Sequence, residues 1–187
     1  MCKKQELRGI AAGIAPEDRS GQDKKIQDRI LESRWWRDAA TVFCYVSTDS
    51  EPDTHILLKQ ALEQGKTVLV PKCVSRTEMV TVRIRSLEEL KTGTWGIMEP
   101  EGNEVWSGQI DLAVVPCVAV TKNGVRLGHG AGYYDRFLQE SKVKKICLCY
   151  AERVFEKIPC GQTDIRMDAV VTPNETYIIK RKEEEEE

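Results

Sequence analysis

The chain has 187 residues, of which 41% are hydrophobic and 31% charged, with a formal net charge of −2. This length fits one domain with a buried core, and the charge shows no basic excess of the kind that nucleic-acid-binding proteins carry. No apolar run approaches the roughly 20 residues that cross a bilayer, and charged residues fill the opening MCKKQELRGI where a signal peptide needs an apolar segment, so we expect a cytoplasmic protein with no nucleic-acid or membrane partner.

Predicted helices and strands then alternate along the chain. The predicted helices cover residues 3–13, 17–34, 54–65, 87–91 and 133–141. The predicted strands, which are rich in apolar and β-branched residues, cover 41–47, 67–71, 79–85, 111–116, 145–150, 169–172 and 176–179. Pro16 lies at a first-turn position of the second helix, Gly65 can end the third, and Ser86 with Glu89 forms a capping box for the fourth.

This alternation predicts an α/β fold: a single three-layer α/β/α domain over residues 1–180 with a mostly parallel central sheet. The acidic segment 181–187 is expected to be disordered, because its like charges repel one another. In such sheets ligands bind beyond the carboxyl ends of the strands. Those ends lead into four loops, 47–53, 71–73, 116–135 and 150–164, which we expect to surround the site.

Seven cysteines form an odd set in a chain with no export signal. Several lie in apolar runs, so we expect reduced, buried thiols in preference to disulfides. The two histidines are far apart in sequence and no C-x-x-C pattern occurs, which argues against a structural zinc site.

The stretch RLGHGAGYYD, residues 126–135, carries the strongest functional signal. It contains three glycines spaced two apart, Gly128, Gly130 and Gly132. Unhindered backbone before a helix can turn several N–H groups toward one anion, while Arg126 offers a fork for phosphate and Asp135 a carboxylate for magnesium. Alternatively the glycines only permit a crowded turn, with Tyr133 and Tyr134 packed beneath it. The spacing alone leaves both readings open.

Neither familiar nucleotide fingerprint is present. The third glycine comes too early for G-x-G-x-x-G, and Ala131 stands where a Walker loop needs lysine. The fragment GKT at 65–67 has Gln60 in place of the required glycine and enters a strand, so it is interpreted as the end of a helix.

Other polar residues have two readings each. Lys4 and Arg8 lie four apart on one helix face, where they either reach a phosphate chain or form a solvated face. Glu51 and Asp53 follow the first strand, where they either contact a ligand or cap a helix. Trp95 either stacks on a flat ring or fills the core.

Asp164 and Asp168 precede a predicted strand near the carboxyl end. One of them could complete a magnesium site with Asp135, although acids in loops are more often solvated.

Taken in order, these stretches resemble the 5-formyltetrahydrofolate cyclo-ligase family, also called methenyltetrahydrofolate synthetase. The resemblance runs from about Lys4 to Thr172. Its most specific part is NGVRLGHGAGYYDRFL, and it is supported by the collinear blocks KQELR, YVSTDSEPDT, VLVPK, WGIMEP, DLAVVP and DIRMDAVVT.

The resemblance implies a three-layer α/β fold and an enzyme that converts 5-formyltetrahydrofolate and ATP, with Mg²⁺, to 5,10-methenyltetrahydrofolate, ADP and phosphate. The implied catalytic residues are Arg126, Tyr133 and Asp135. The implied ATP-binding residues are Lys4, Arg8, Arg126, Leu127, Gly128, His129, Gly130, Ala131, Gly132, Tyr133 and Tyr134. The implied folate-binding residues are Val46, Glu51, His129, Gly130, Ala131, Gly132 and Tyr133. Asp135 and Asp164 match the magnesium positions, with Asp168 a weaker candidate.

Two positions depart from the family pattern. Ala131 falls where some members carry Lys and others Gly, which removes one phosphate contact if Lys is the residue that matters, and His129 falls at a variable position. Two other functions stay open from sequence: a regulatory module that binds ATP or folate without turnover, and another ATP-dependent phosphoryl-transfer enzyme on the same fold.

Overall fold

The computed structural model describes residues 3–93, 96–139 and 141–180. Its α-helices are α1 (Lys3–Ala12), α2 (Arg19–Leu31), α3 (Arg34–Asp38), α4 (His55–Glu63) and α5 (Tyr133–Leu138). Its strands are β1 (Thr41–Cys44), β2 (Thr67–Cys73), β3 (Met79–Ile84), β4 (Leu90–Thr92), β5 (Met98–Pro100), β6 (Leu112–Val115), β7 (Ala119–Val120), β8 (Arg126–Leu127), β9 (Lys144–Leu148), β10 (Ala169–Val171) and β11 (Thr176–Ile178). Trp95 and the acidic segment 181–187 lie outside the described residues.

A seven-stranded sheet organises the chain, in the order β11-β10-β9-β6-β1-β2-β3. The five inner strands, from β10 to β2, pair in parallel. The edge strands β3 and β11 pair antiparallel with β2 and β10. The predicted α/β fold with a mostly parallel sheet is therefore confirmed. Because the inner strands run in one direction, their carboxyl ends open on one edge, where the ligand-binding loops of such sheets gather.

One face of the sheet is covered by α2, α3 and α4. Alternate side chains of a strand point to opposite faces, and Val42 and Cys44 of β1 point to this one. They pack with Ile26 of α2, Trp36 of α3 and Leu57 of α4, all 0 to 1% exposed.

The opposite face is covered by α5 and by the long connections. Phe43, between the two residues just named, packs here against Phe137 with ring centroids 5.0 Å apart. A third cluster joins α1 to the β7–β8 hairpin through Ala11, Ala119 and Leu127. The amino-terminal helix is thereby fixed beside the segment that leads into the glycine stretch.

The boundaries differ from prediction where local capping decides them. The helix predicted over 17–34 is two helices: Asp18 caps α2 and accepts a hydrogen bond from the Gly21 N–H, and Ser33 caps α3. Pro16 precedes the first turn of α2 and is not part of it. The capping box at Ser86 and Glu89 is confirmed, although the helix it begins is a single 3-10 turn.

Residues 71–73 were expected to form a loop at the carboxyl edge, and this was wrong. They continue β2, because β3 turns back and pairs with them as far as Cys73. The short hairpins β4–β5 and β7–β8 gave no clear alternation in the sequence.

Two further findings concern membrane-spanning helices and the cysteines. Within the described residues no helix is both long enough and apolar enough to cross a membrane. The six described cysteines are free thiols, and four of them, including Cys117, Cys147 and Cys149, are buried.

Candidate active site

The glycine stretch lies between β8 and α5, at the carboxyl edge of the sheet. Gly130 has φ +111° and Gly132, which caps α5, has φ +71°. Both values fall in the left-handed region that favours glycine. Gly128 has a different constraint, since a Cβ there would come within 2.8 Å of the Arg126 guanidinium. The loop therefore needs glycine at 130 and 132 for the backbone angle, and at 128 for the space beside Arg126.

The backbone of this loop offers unused donors. Among the described residues, the N–H groups of positions 129–132 have no hydrogen-bond partner. His129, Gly130 and Ala131 are exposed, so these N–H groups are open to solvent or to a ligand. An array of free N–H groups in a glycine loop is suited to an anion.

Arg126 lies buried behind the loop and contacts Asp135. One terminal nitrogen of Arg126 lies 3.0 Å from Asp135 Oδ2, and the other donates to the Pro116 carbonyl at 3.0 Å. Its side chain is only 3% exposed. Its Nε is buried and, within the part of the chain that is described, has no hydrogen-bond partner. A buried donor without an acceptor is costly, which marks Nε as a place where a ligand or water oxygen would be stabilised.

Asp135 is also held from a second loop. Its Oδ1 accepts a hydrogen bond from the Ile165 N–H at 3.1 Å. Ile165 follows Asp164, so the loop that carries Asp164 contacts Asp135 in the first turn of α5.

α1 brings two cations to the same place. Lys4 forms an ion pair with Asp164, 160 residues away, and Arg8 Nε donates to the Gly128 carbonyl at 2.8 Å. Lys4 and Arg8 thus share a helix face directed at the site. Burial alone would raise the pKa of Asp164, but hydrogen bonds from Lys4 and the Gly161 N–H, with the charges of Lys4 and Arg126, lower it. Asp164 is therefore a carboxylate over the physiological pH range.

The loop after β1 contributes Glu51 on the other side of the glycines. Glu51 is buried, and its Oε2 accepts hydrogen bonds from the Thr48 N–H at 2.9 Å and the Thr48 hydroxyl at 3.0 Å. Its Oε1 lies 3.6 Å from His129 Nε2. Val46, at the start of this loop, is 3% exposed and packs in the core, so a ligand would contact it only if neighbouring side chains moved.

The two tyrosines of the stretch differ in their surroundings. The Tyr133 hydroxyl donates to the Ser75 carbonyl at 2.9 Å, beyond the end of β2. Tyr134 packs against both core clusters, with the Arg126 guanidinium 5.7 Å from its ring centre. Burial raises the pKa of the Tyr134 hydroxyl, which stays protonated. Tyr134 therefore supports the loop from beneath, as the packing alternative expected, while the backbone above it stays open.

Asp168 lies away from this cluster. It is buried at the start of β10, and its Oδ2 accepts a hydrogen bond from the Lys145 N–H of β9 at 2.7 Å. Strand starts lie at the opposite edge of a parallel sheet from the glycine loop. This placement favours Asp164 over Asp168 as the partner of Asp135.

The donor set fits magnesium as it is bound beside nucleotides. Mg²⁺ is usually held by one or two carboxylates, with substrate phosphates and waters completing the shell. Asp135 in α5 and Asp164 in the loop that contacts it supply two carboxylates. The described residues contain no group of three acidic, histidine or cysteine side chains that could hold a metal alone.

Sequence reasoning missed the residues that fix the Glu51 loop. The Tyr150 hydroxyl lies 2.9 Å from the Glu51 carbonyl, Arg153 donates to the Ser50 carbonyl at 2.7 Å, and the Asp53 N–H donates to Asp23 at 3.0 Å. Tyr150 and Arg153 stand at the carboxyl end of β9, so their position at the ligand edge was the available signal. No signal in the sequence pointed to Asp23, which lies among the polar surface residues of a helix.

Comparisons with known proteins show the family of the chain. The model of the 5-formyltetrahydrofolate cyclo-ligase family matches residues 3–173. The chain is 34% identical to a probable 5-formyltetrahydrofolate cyclo-ligase of Caenorhabditis elegans, over 94% of this chain and 93% of that protein. It is 30% identical to the mitochondrial 5-formyltetrahydrofolate cyclo-ligase of Arabidopsis thaliana, over 90% of this chain and 72% of that protein.

A solved structure gives the same result. The NMR structure of Aquifex aeolicus 5,10-methenyltetrahydrofolate synthetase superposes with a TM-score of 0.82 at 28% identity, covering 96% of this chain and 92% of that one. The resemblance seen in the sequence is confirmed, and the chain belongs to the 5-formyltetrahydrofolate cyclo-ligase family of ligases.

Proposed function

We propose that this protein converts 5-formyltetrahydrofolate and ATP, with Mg²⁺, to 5,10-methenyltetrahydrofolate, ADP and phosphate, through phosphorylation of the formyl oxygen. The observation that carries the proposal is the glycine loop. Its N–H groups at 129–132, which have no partner in the part of the chain that the structure describes, lie between the Arg126–Asp135 pair and the cations of α1. Such an arrangement suits a polyphosphate held beside a divalent cation.

The ATP phosphates would lie along the glycine loop. The loop N–H groups and the Arg8 guanidinium would face the phosphate oxygens, and the buried Arg126 Nε offers one more donor beneath them. Phosphoryl transfer needs little covalent help from a protein, because alignment and charge stabilisation supply most of the catalysis. The described site fits this requirement.

Asp135 and Asp164 would hold the magnesium ion, whose role when bound is to neutralise charge on the phosphates. Each carboxylate already has a cation beside it, Arg126 for Asp135 and Lys4 for Asp164. Arg126 is buried and stays in place, whereas Lys4 is on a partly exposed helix. We infer that Lys4 leaves Asp164 when the metal and nucleotide bind, and that its ammonium group then reaches the phosphates.

The folate would bind on the Glu51 side of the loop. A buried carboxylate that already accepts two hydrogen bonds from Thr48 is fixed in orientation, and its Oε1 faces His129 and the loop. A pteridine presents adjacent N–H donors, to which a fixed carboxylate is complementary. In this arrangement the formyl group would lie beside the loop proposed to hold the γ-phosphate.

The reaction then has two steps. The formyl oxygen attacks the γ-phosphorus and ADP leaves, giving an iminium phosphate. The folate nitrogen N10 attacks the formyl carbon and loses its proton, and phosphate leaves with the former formyl oxygen. The protein must exclude water between the steps, since water would attack the same carbon.

The test is to mix the protein with ATP, Mg²⁺ and 5-formyltetrahydrofolate and to record the near-ultraviolet absorbance of the methenyl product together with ADP. We expect one ADP per product, and neither product without ATP or with the metal chelated. Nucleotide and folate binding with no ADP would support the binding module instead. ADP release that does not depend on this folate would support a different phosphoryl-transfer enzyme.

The cytoplasmic location stays a prediction, and one relative is a mitochondrial protein. Fractionation of cells that express the full chain tests it.

A further inference from the structure

A cavity of about 390 Å³ opens beside the Glu51 loop, and Tyr150 and Arg153, which fix that loop, line it. Its walls are the end of α1, the α1–α2 connection, the first residue of α2 and residues from the loops after β1 and β9. They comprise residues 12–16, Arg19, Asp49, Ser50, Tyr150 and Arg153. Ser50 adjoins Glu51 in the chain, so the cavity lies next to the loop that carries the residue proposed to bind the pteridine.

One wall of the cavity is apolar. Ala12, at the end of α1, and Ile14 and Pro16, in the α1–α2 connection, line this wall. Arg153 lies over the Tyr150 ring, 5.8 Å from its centre. The Tyr150 ring is only 1% exposed, so the apolar side chains from residues 12–16 are the surface that an aromatic ring of a ligand would contact.

The two arginines that line the cavity differ in how many of their nitrogen atoms donate to a partner. Arg153 donates from Nε and Nη2 to the Ile14 carbonyl and from Nη1 to the Ser50 carbonyl, so it joins two walls. Arg19 donates from Nε to the Tyr150 hydroxyl at 3.1 Å, and its Nη2 is 3.5 Å from the Glu51 carbonyl. Among the described residues, Arg19 Nη1 has no hydrogen-bond partner.

The charge around Arg19 is partly balanced by acids. Asp23 Oδ2 lies 3.7 Å from Arg19 Nε, and the exposed Asp49 on the cavity wall also acts on the guanidinium. A carboxylate ligand would therefore compete with Asp49 for Arg19. Removing the charge of Asp49 should therefore strengthen the binding of such a ligand.

We propose that this cavity binds the p-aminobenzoylglutamate half of the folate, with its aromatic ring against the apolar wall and a glutamate carboxylate on Arg19. The inference rests on the proposed function, because it takes the pteridine to lie at Glu51. It makes Arg19 a residue that recognises the tail of the substrate and has no contact with the reacting atoms.

Paired charge variants test the proposal. Arg19→Gln keeps a donor for Tyr150 and should raise the KM for 5-formyltetrahydrofolate by roughly tenfold, the loss expected for one charge-assisted hydrogen bond in an open site, with kcat and the KM for ATP nearly unchanged. Asp49→Asn should lower that KM. Arg34→Gln, a surface arginine with an 85% exposed side chain, controls for net charge and should change neither.

A steric variant tests the same cavity without touching a charge. Ala12→Phe would fill the space from an exposed position at the end of α1 and should raise the KM for the folate. Ile10→Phe, at a 52% exposed position of the same helix that does not line the cavity, should not. For a substrate whose glutamate is replaced by a plain amide, the effect of Arg19→Gln should shrink toward onefold, while that of Ala12→Phe should persist.

The failure of this inference is distinct from failure of the proposed function. A wild-type protein that forms the methenyl product, with Arg19→Gln and Ala12→Phe both at wild-type KM, overturns the cavity proposal alone. A wild-type protein that forms no product overturns the proposed function. In that case, calorimetric binding of p-aminobenzoylglutamate itself, weakened by Arg19→Gln, would still support the cavity, and no binding would overturn it.

Discussion

Replacing Gly130 by valine separates the two roles that a glycine loop can have. Gly130 has φ +111°, which a β-branched residue resists at a cost of about 1–3 kcal/mol. The added Cβ would stand 3.3 Å from Arg8 Cζ, the end of a flexible side chain that can move. If the loop kept its shape, the melting temperature would fall by roughly 2–12 °C in a chain of this size.

The loop is exposed, however, and can change its conformation to relieve the strain. We therefore expect a fall in melting temperature at the small end of that range. We also expect a loss of ATP binding, because the new conformation turns the N–H groups at 129–132 away from the phosphates. Calorimetric titration with a non-hydrolysable ATP analogue and Mg²⁺, beside a thermal melt, measures both quantities.

Gly65→Val is the matched control. Gly65 has φ +71° at the end of α4, is exposed, and has no atom within 4 Å of a built Cβ. It should lose stability by a similar amount and bind the ATP analogue as the wild type does. If Gly130→Val binds the analogue with wild-type affinity, the loop is only a packing turn and the reasoning is refuted.

Three further predictions follow from single contacts. Asp135→Asn should lower turnover by on the order of 10² or more, and it should lower the melting temperature because buried Arg126 loses its charged partner. Steady-state rates and a thermal melt measure these effects, and near wild-type turnover at saturating Mg²⁺ would show that Asp135 does not bind the metal. Glu51→Gln should raise the KM for the folate by roughly tenfold and leave that for ATP little changed, whereas the reverse pattern in initial rates would assign this loop to the nucleotide. His55→Asn should lower the melting temperature most in mildly acidic buffer, because the pKa of His55 is raised, chiefly by its hydrogen bond to Asp53. The stabilisation by charged His55 is complete below about pH 6.5 and is lost as the pH rises through the pKa of the folded state. A melting-temperature difference between variant and wild type that grows with pH would contradict this.

Much of the fold was predictable because its determinants are local. Apolar, β-branched runs bounded by turn residues gave most of the strands of the sheet, and their alternation with helices gave the α/β class. Gly65, Gly130 and Gly132 were recognisable since glycine is the residue that takes a positive φ without strain. The edge of the sheet that carries the site also followed from the fold class.

The errors came from features whose determinants are not periodic. The break between α2 and α3 depends on the Ser33 cap, where the side chain accepts from the Trp36 N–H at 3.2 Å, inside a stretch that favours helix throughout. The extension of β2 to Cys73 depends on β3 lying beside it. Whether two strands pair depends on both of them, and the local sequence of one strand does not show which strand will lie beside it.

By itself the sequence determined the residue types of the site and the loops that hold them, because these follow from local pattern and from resemblance to a family. Only the tertiary structure decided which of them meet. Lys4 pairs with Asp164 across 160 residues because α1 packs on the β7–β8 hairpin. Glu51 faces His129 because the loop after β1 and the glycine loop lie at one edge of the sheet. It also decided that Arg126 is buried behind Asp135 and that Asp168 turns to β9. Side-chain burial and direction depend on packing among elements distant in sequence, and spacing along the chain carries no information about that.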